Sequence, residues 1–207
     1  MLYYKNMNEH SKVRQPKQGR SIETKNKIIN AGYKVFTEVG YYGTNTAEIA
    51  KVAGVSTGIV YGYFLDKRDI LLCVLDLYIE NVAKPVFDII DRLTAPIDFS
   101  SVIPAIVDRV IKIHQTNERL HNTLHSLAAT DEGVNARFIE LEKTLTVRIS
   151  EKLLLLGVDS EALPEKVHIA MNEVQSFAHE YVFDNHDFID YDVMKALLCR
   201  MTVGLFG

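Results

Sequence analysis

Apolar residues recur every three or four positions along almost the whole chain, and sustained strand-like alternation is missing. The spacing predicts helices over residues 21–39, 46–53, 57–64, 67–93, 100–114, 118–129, 134–156, 164–183 and 190–205. In the first, Ile28, Ile29, Gly32, Val35, Phe36 and Val39 share one face, and Gly40 stops the helix. Asn45 followed by Glu48 reads as a capping box, Gly54 closes the second helix, and Ser56 and Asp66 cap the next two. Pro85 is expected to kink the long fourth helix near Asn81. The last two helices carry apolar stripes, Val167 to Tyr181 on one and Val193, Leu197, Met201 and Leu205 on the other. The pattern therefore predicts an all-α fold of about nine helices. It comprises a polar, basic arm over residues 1–20, a three-helix N-terminal domain over 21–66 and a helical C-terminal domain over 67–207.

Composition narrows the class. With 207 residues and 47% hydrophobic content, the chain can bury a core, which excludes disorder throughout. No run approaches the ~20 apolar residues of a membrane span, and the basic N-terminus lacks the apolar segment of a secretory signal. Cys73 and Cys199 form neither a disulfide framework nor a metal-ligand spacing, so a cytoplasmic protein is expected, with no membrane partner. The net charge of −4 is unevenly spread. Residues 1–70 hold eleven Lys and Arg against six Asp and Glu, a net of +5, while residues 71–207 carry a net of −9. A basic head on an acidic body suggests that the head meets a polyanion.

The segment from Gly43 to Lys67 says which polyanion. Two short capped helices joined by a tight turn at Gly54 form a helix-turn-helix, with Ile59 and Val60 expected to pin the second helix to the core. Thr57, Gly58, Tyr61 and Tyr63 are then left with no packing duty. Thr46 and Ser56 stand at helix N-termini, where free N–H groups favour an anion, and Tyr61, Tyr63 and Lys67 add donors: these five are candidate phosphate contacts. Base reading falls to Thr57, with Ala47 and Gly58 beside it.

The run Thr44-Asn45-Thr46, Ile49-Ala50, Ala53-Gly54-Val55-Ser56, Val60-Tyr61, Tyr63-Phe64 and Lys67 resembles the DNA-binding domain of tetracycline-repressor (TetR) type transcriptional regulators. The likeness covers roughly residues 21–72. It implies a homodimer on a palindromic double-stranded DNA operator, repression relieved by a small molecule, and a C-terminal domain for ligand and dimerisation. By position, it puts phosphate contacts on Thr46, Ser56, Tyr61, Tyr63 and Lys67, base contacts on Ala47, Thr57 and Gly58, and the dimer interface on the last two helices. Gly62 departs from the pattern, since many members carry a larger side chain there.

Two other readings compete. Gly54-Val55-Ser56-Thr57-Gly58 matches G-x-S-x-G, the nucleophile elbow of serine hydrolases, but the elbow needs a strand before the serine and this segment predicts a helix; no catalytic residue is expected. A ligand-independent architectural or adaptor protein would keep the helix-turn-helix and lack a pocket. In the C-terminal domain, His114, His121, His125, Phe138, Phe177 and Tyr181 are the candidate lining of an effector pocket. His121 and His125, at i and i+4, have the spacing to share a metal. No third ligand is evident from spacing, and no metal or other cofactor is expected.

Overall fold

A computed structural model describes residues 19–116, 118–158 and 161–207. The predicted arm lies outside these residues except for Gly19 and Arg20, which belong to the first helix. Nine helices and no strand occur among the described residues: α1 (Gly19–Glu38), α2 (Thr46–Ala53), α3 (Thr57–Tyr61), α4 (Lys67–Asp91), α5 (Phe99–Thr116), α6 (Glu118–Ala128), α7 (Glu132–Leu155), α8 (Leu163–Phe183) and α9 (Tyr191–Val203). None is long and apolar enough to cross a membrane. The fold is all-α, with an N-terminal helix-turn-helix domain and a C-terminal helical domain. Contacts divide the chain at Asp76 and Leu77, within α4.

The first unit is held by Ile28, Phe36, Ile49, Val60 and Ile70, all fully buried. Gly32 permits the close approach of α1 and α4: a Cβ there would stand 2.8 Å from Ile70 Cγ2 and 3.2 Å from Val74 Cγ2. Two expectations for this core fail. Val39 is 54% exposed, because α1 ends at Glu38 and the helical face no longer carries it inward. Ile59 is 43% exposed, because one residue is 100° of helix and α3 turns Val60 inward instead.

The second unit packs α5, α8 and α9 around Val107, Phe177, Ala178 and Leu198, and α4, α7 and α8 around Ile90, Leu153, Leu163 and Val167. Residues 130–133 do not form the whole break that their composition suggests. Asp131 accepts from the N–H groups of Gly133 and Val134, so α7 starts at Glu132 and takes Gly133 into its first turn. α4 is assigned as one helix through Pro85.

Candidate functional site

The helix-turn-helix is built by caps. Asn45 Oδ1 accepts from the N–H groups of Ala47 and Glu48, and the Glu48 carboxylate accepts from the N–H of Asn45, completing the predicted box. Gly54 takes the left-handed conformation (φ 69°) that closes α2, where a side chain would be strained. Ser56 Oγ accepts from the N–H of Ile59 and starts α3. Asp66 and Asp69 cap the head of α4 reciprocally, through the N–H groups of Asp69 and Leu65.

These caps present a polar face. Ala47, Ser56, Gly58 and Tyr61 are exposed, and Thr46, Thr57 and Tyr63 are half-buried. The hydroxyls of Thr46 and Tyr61 lie 3.0 Å apart, so the two candidate phosphate donors form one pair. The hydroxyl of Tyr63 is 3.0 Å from that of Ser21 on α1. Lys67 is more committed than the sequence suggests. Its ammonium donates to the carbonyls of Tyr41 (2.7 Å) and Thr44 (2.8 Å) and sits 4.3 Å from the centre of the Tyr41 ring. It thus ties the α1–α2 loop to α4. Ile59, assigned inward by sequence, stands among the exposed residues of this face. The element before Ser56 is a helix and the Ser56 hydroxyl is occupied as a cap, so the strand that a nucleophile elbow requires is absent from this position.

In the second unit a cavity of about 210 Å³ lies among α4 to α9. Val86, Ile106, Val110, Leu145 and Met171 typify its apolar wall. Of the predicted lining, His114, His125 and Phe138 are present. Phe177 is buried instead in the packing of α5, α8 and α9, with Tyr181 half-buried against it, and His121 stands behind the wall. The stripe of α8 is thus shared: Val167, Ala170, Met171 and Val174 line the cavity, while Phe177 and Tyr181, farther along the helix, pack into the core.

His121 belongs to a cluster that spacing only half revealed. The ring centres of His121 and His114 are 4.4 Å apart and those of His121 and His125 are 4.1 Å apart. His179 on α8 lies 5.7 Å from His121 and 6.4 Å from His114. Spacing makes only the His121–His125 pair evident as metal ligands; the structure instead brings nitrogens of His114, His121 and His179 within 4.8 Å of one another, without His125. No local signal pointed to His179, which reaches the cluster only through the packing of α8. Burial, with repulsion from neighbouring imidazoles, pulls His121 down to about 2 and His125 to about 4, and burial also lowers His114. All three are neutral at pH 7.

Two acidic residues at the ends of the α8–α9 loop have structural partners. Asp190 caps α9, and Glu180 accepts from the Tyr191 hydroxyl, which in turn accepts from the N–H of His186.

Comparison with known proteins points one way. Residues 28–74 match the family model of bacterial regulatory proteins, tetR family. The chain is 26% identical over 176 residues to the HTH-type transcriptional regulator HbdR of Aromatoleum sp. (strain CIB), covering 81% of this chain and 72% of that one. It is 27% identical over 157 residues to the fatty acid metabolism regulator protein of Bacillus subtilis, covering 64% and 78%. Among solved structures, a tetR-family regulator from Mesorhizobium loti superposes with a TM-score of 0.73 at 18% identity, covering 91% and 97%. The fatty acid degradation regulator FadR from Bacillus halodurans does so with 0.61 at 18% identity, covering 93% and 97%.

Proposed function

The chain belongs to the tetR family of bacterial transcriptional regulators, and from that premise we propose that it is a homodimeric repressor released from a palindromic operator by a small, largely apolar effector. The observation that carries the DNA-binding part is the capped, outward-facing α3 with its hydroxyl-rich surround. In this reading Thr46, Ser56, Tyr61, Tyr63 and Lys67 meet phosphates, which give affinity and register. Ala47, Thr57 and Gly58 meet base edges, and exposed Ile59 suits a thymine methyl. A DNA-bound regulator works in the cytoplasm, and no catalytic step is assigned to it.

Dimerisation is supported by α9. Val193, Leu197 and Met201 are 54%, 45% and 65% exposed at successive i+4 positions, an apolar stripe suited to packing against its own copy. Two reading helices one helical turn of DNA apart, about 34 Å, require such a pair. The apolar cavity favours an effector over a ligand-independent architectural role. The names of the Bacillus relatives, regulators of fatty acid metabolism and degradation, support an aliphatic or acyl compound. Release then follows from tighter effector binding to the DNA-free state.

The test is capture of sheared genomic DNA on the tagged full-length protein, followed by sequencing and a gel-shift salt series. A shared palindrome should emerge, with affinity falling about 10³-fold or more between 50 and 200 mM salt if six or more phosphates are neutralised. No enrichment, or a flat salt series, refutes the reading. Leu197→Glu should leave a monomer with weakened operator binding; an intact dimer by light scattering removes α9 from the interface.

A further inference from the structure

The histidine cluster has two buried nitrogens with nothing to bind. His114 and His121 are each 1% exposed, and the Nε2 of each lacks a hydrogen-bond partner. Two buried polar atoms left without partners are costly to the fold. The arrangement is ordered rather than incidental. The Nδ1 of His114 lies 2.8 Å from the Val110 carbonyl, which can only accept, so Nδ1 holds the proton and Nε2 keeps its lone pair. The Nδ1 of His121 lies 2.7 Å from the Tyr78 hydroxyl. Buttressing of one ring nitrogen while the other stays open is the usual support for a metal ligand.

We propose that His114, His121 and His179 bind one divalent transition-metal ion of the zinc, cobalt or nickel class. Imidazole nitrogen suits these ions, whereas magnesium and calcium require oxygen. The His114 and His121 rings are held neutral by burial, so binding need displace no proton from either. In the bound form the Nδ1–H of His121 donates to Tyr78. Tetrahedral zinc with bonds of about 2.0–2.1 Å sets its ligand nitrogens about 3.4 Å apart. The nitrogens now lie within 4.8 Å, so closure calls for a shift of about an ångström. His179 is the ligand placed to make it, since its side chain is 41% exposed.

Three imidazoles leave a fourth position, and His114 also lines the apolar cavity. That an effector with a metal-binding anionic head fills this position rests on the effector reading above; the metal site itself does not.

The test uses the full-length protein stripped with a chelator and titrated with Zn²⁺ by calorimetry and with Co²⁺ by visible absorption. One ion per chain is expected, with the d–d bands of a four-coordinate, nitrogen-rich Co²⁺ site and a raised melting temperature. His179→Gln, at the more exposed ligand, should weaken binding more than tenfold, and His168→Gln, outside the cluster, should leave it unchanged. Failure of the stripped wild type to take up either ion overturns the proposal without reference to any variant. So does wild-type affinity in both His179→Gln and His121→Gln. A gel shift on the metal-free wild type separates this outcome from the regulator reading. DNA binding without metal uptake refutes the site alone, and metal uptake without DNA binding supports the site while refuting the regulator.

Discussion

The two units of the chain put their chemistry together in opposite ways. In the first, every group on the proposed DNA-facing surface comes from one stretch of about twenty residues, Thr46 to Lys67, and its helix starts are set by neighbours in sequence, Asn45 on Glu48, Ser56 on Ile59 and Asp66 on Asp69, with only Tyr63 and Lys67 tied to more distant residues. In the second, the polar centre is gathered from Tyr78, His114, His121 and His179, on four different helices. The first depends on short-range caps, the second on long-range packing, and substitutions should report that difference.

The largest effect belongs to Phe36→Ala. Phe36 is fully buried, with the Tyr41 ring edge-on at 5.5 Å, so truncation should cost about 3–5 kcal/mol and abolish DNA binding. Phe138→Ala, on the half-buried cavity wall, should cost clearly less and act chiefly on effector binding. Urea denaturation compares them, and equal losses would mean that the cavity wall is as tightly packed as the N-terminal core.

Acid should find the second unit first. His121 and His125 have native values near 2 and 4, below the ordinary value of 6.5 that the unfolded chain recovers. The unfolded state therefore binds more protons between those limits, and stability falls as pH drops below about 6.5. Each imidazole that stays neutral contributes a slope of at most about 1.4 kcal/mol per pH unit. Metal-free protein melted from pH 7.5 to 4.5 should show this decline, and His125→Gln should make it shallower by one imidazole's share while His121 keeps the rest. A level profile would mean that the imidazoles are solvated.

Lys67→Ala comes next. Removing the ammonium strips a charged donor from two carbonyls in the α1–α2 turn, at an expected cost of about 1–3 kcal/mol. Weakened DNA binding in this variant therefore reads partly through the fold. Tyr61→Phe is the cleaner probe, since its exposed hydroxyl meets only Thr46 among the contacts described above. It should weaken all operators alike, whereas Thr57 substitutions should change sequence preference. A melting shift as large for Tyr61→Phe as for Lys67→Ala would erase the distinction.

The same contrast explains what could be read from the sequence. The second helix runs over Thr46–Ala53 as its cap residues dictate, because Asn45, Glu48 and Gly54 carry their reasons locally. Ile59 is exposed against expectation because a five-residue helix has too few turns for its apolar period to fix a face. Phe177 and Tyr181 look like pocket lining from sequence because aromatic type cannot tell a core wall from a cavity wall. His179 is invisible to a sequence reading because its partners lie more than fifty positions away, and periodicity carries no information about which helices touch.

The smallest expected effect tests the local half of the comparison most directly. Asn45→Ala removes the acceptor for two N–H groups at the head of α2, which should cost about 1 kcal/mol. Asn45→Gly should cost only a few tenths, because the bare backbone lets water reach the same donors. A fold held by short-range caps should show this Ala-to-Gly difference by chemical denaturation, with hydrogen exchange faster at Ala47 and Glu48. The imidazole cluster, built by packing elsewhere, should keep the same acid profile in both variants. Should Asn45→Ala instead shift that profile, the helix-turn-helix and the cluster would be coupled, and the separation of short-range and long-range construction would not hold.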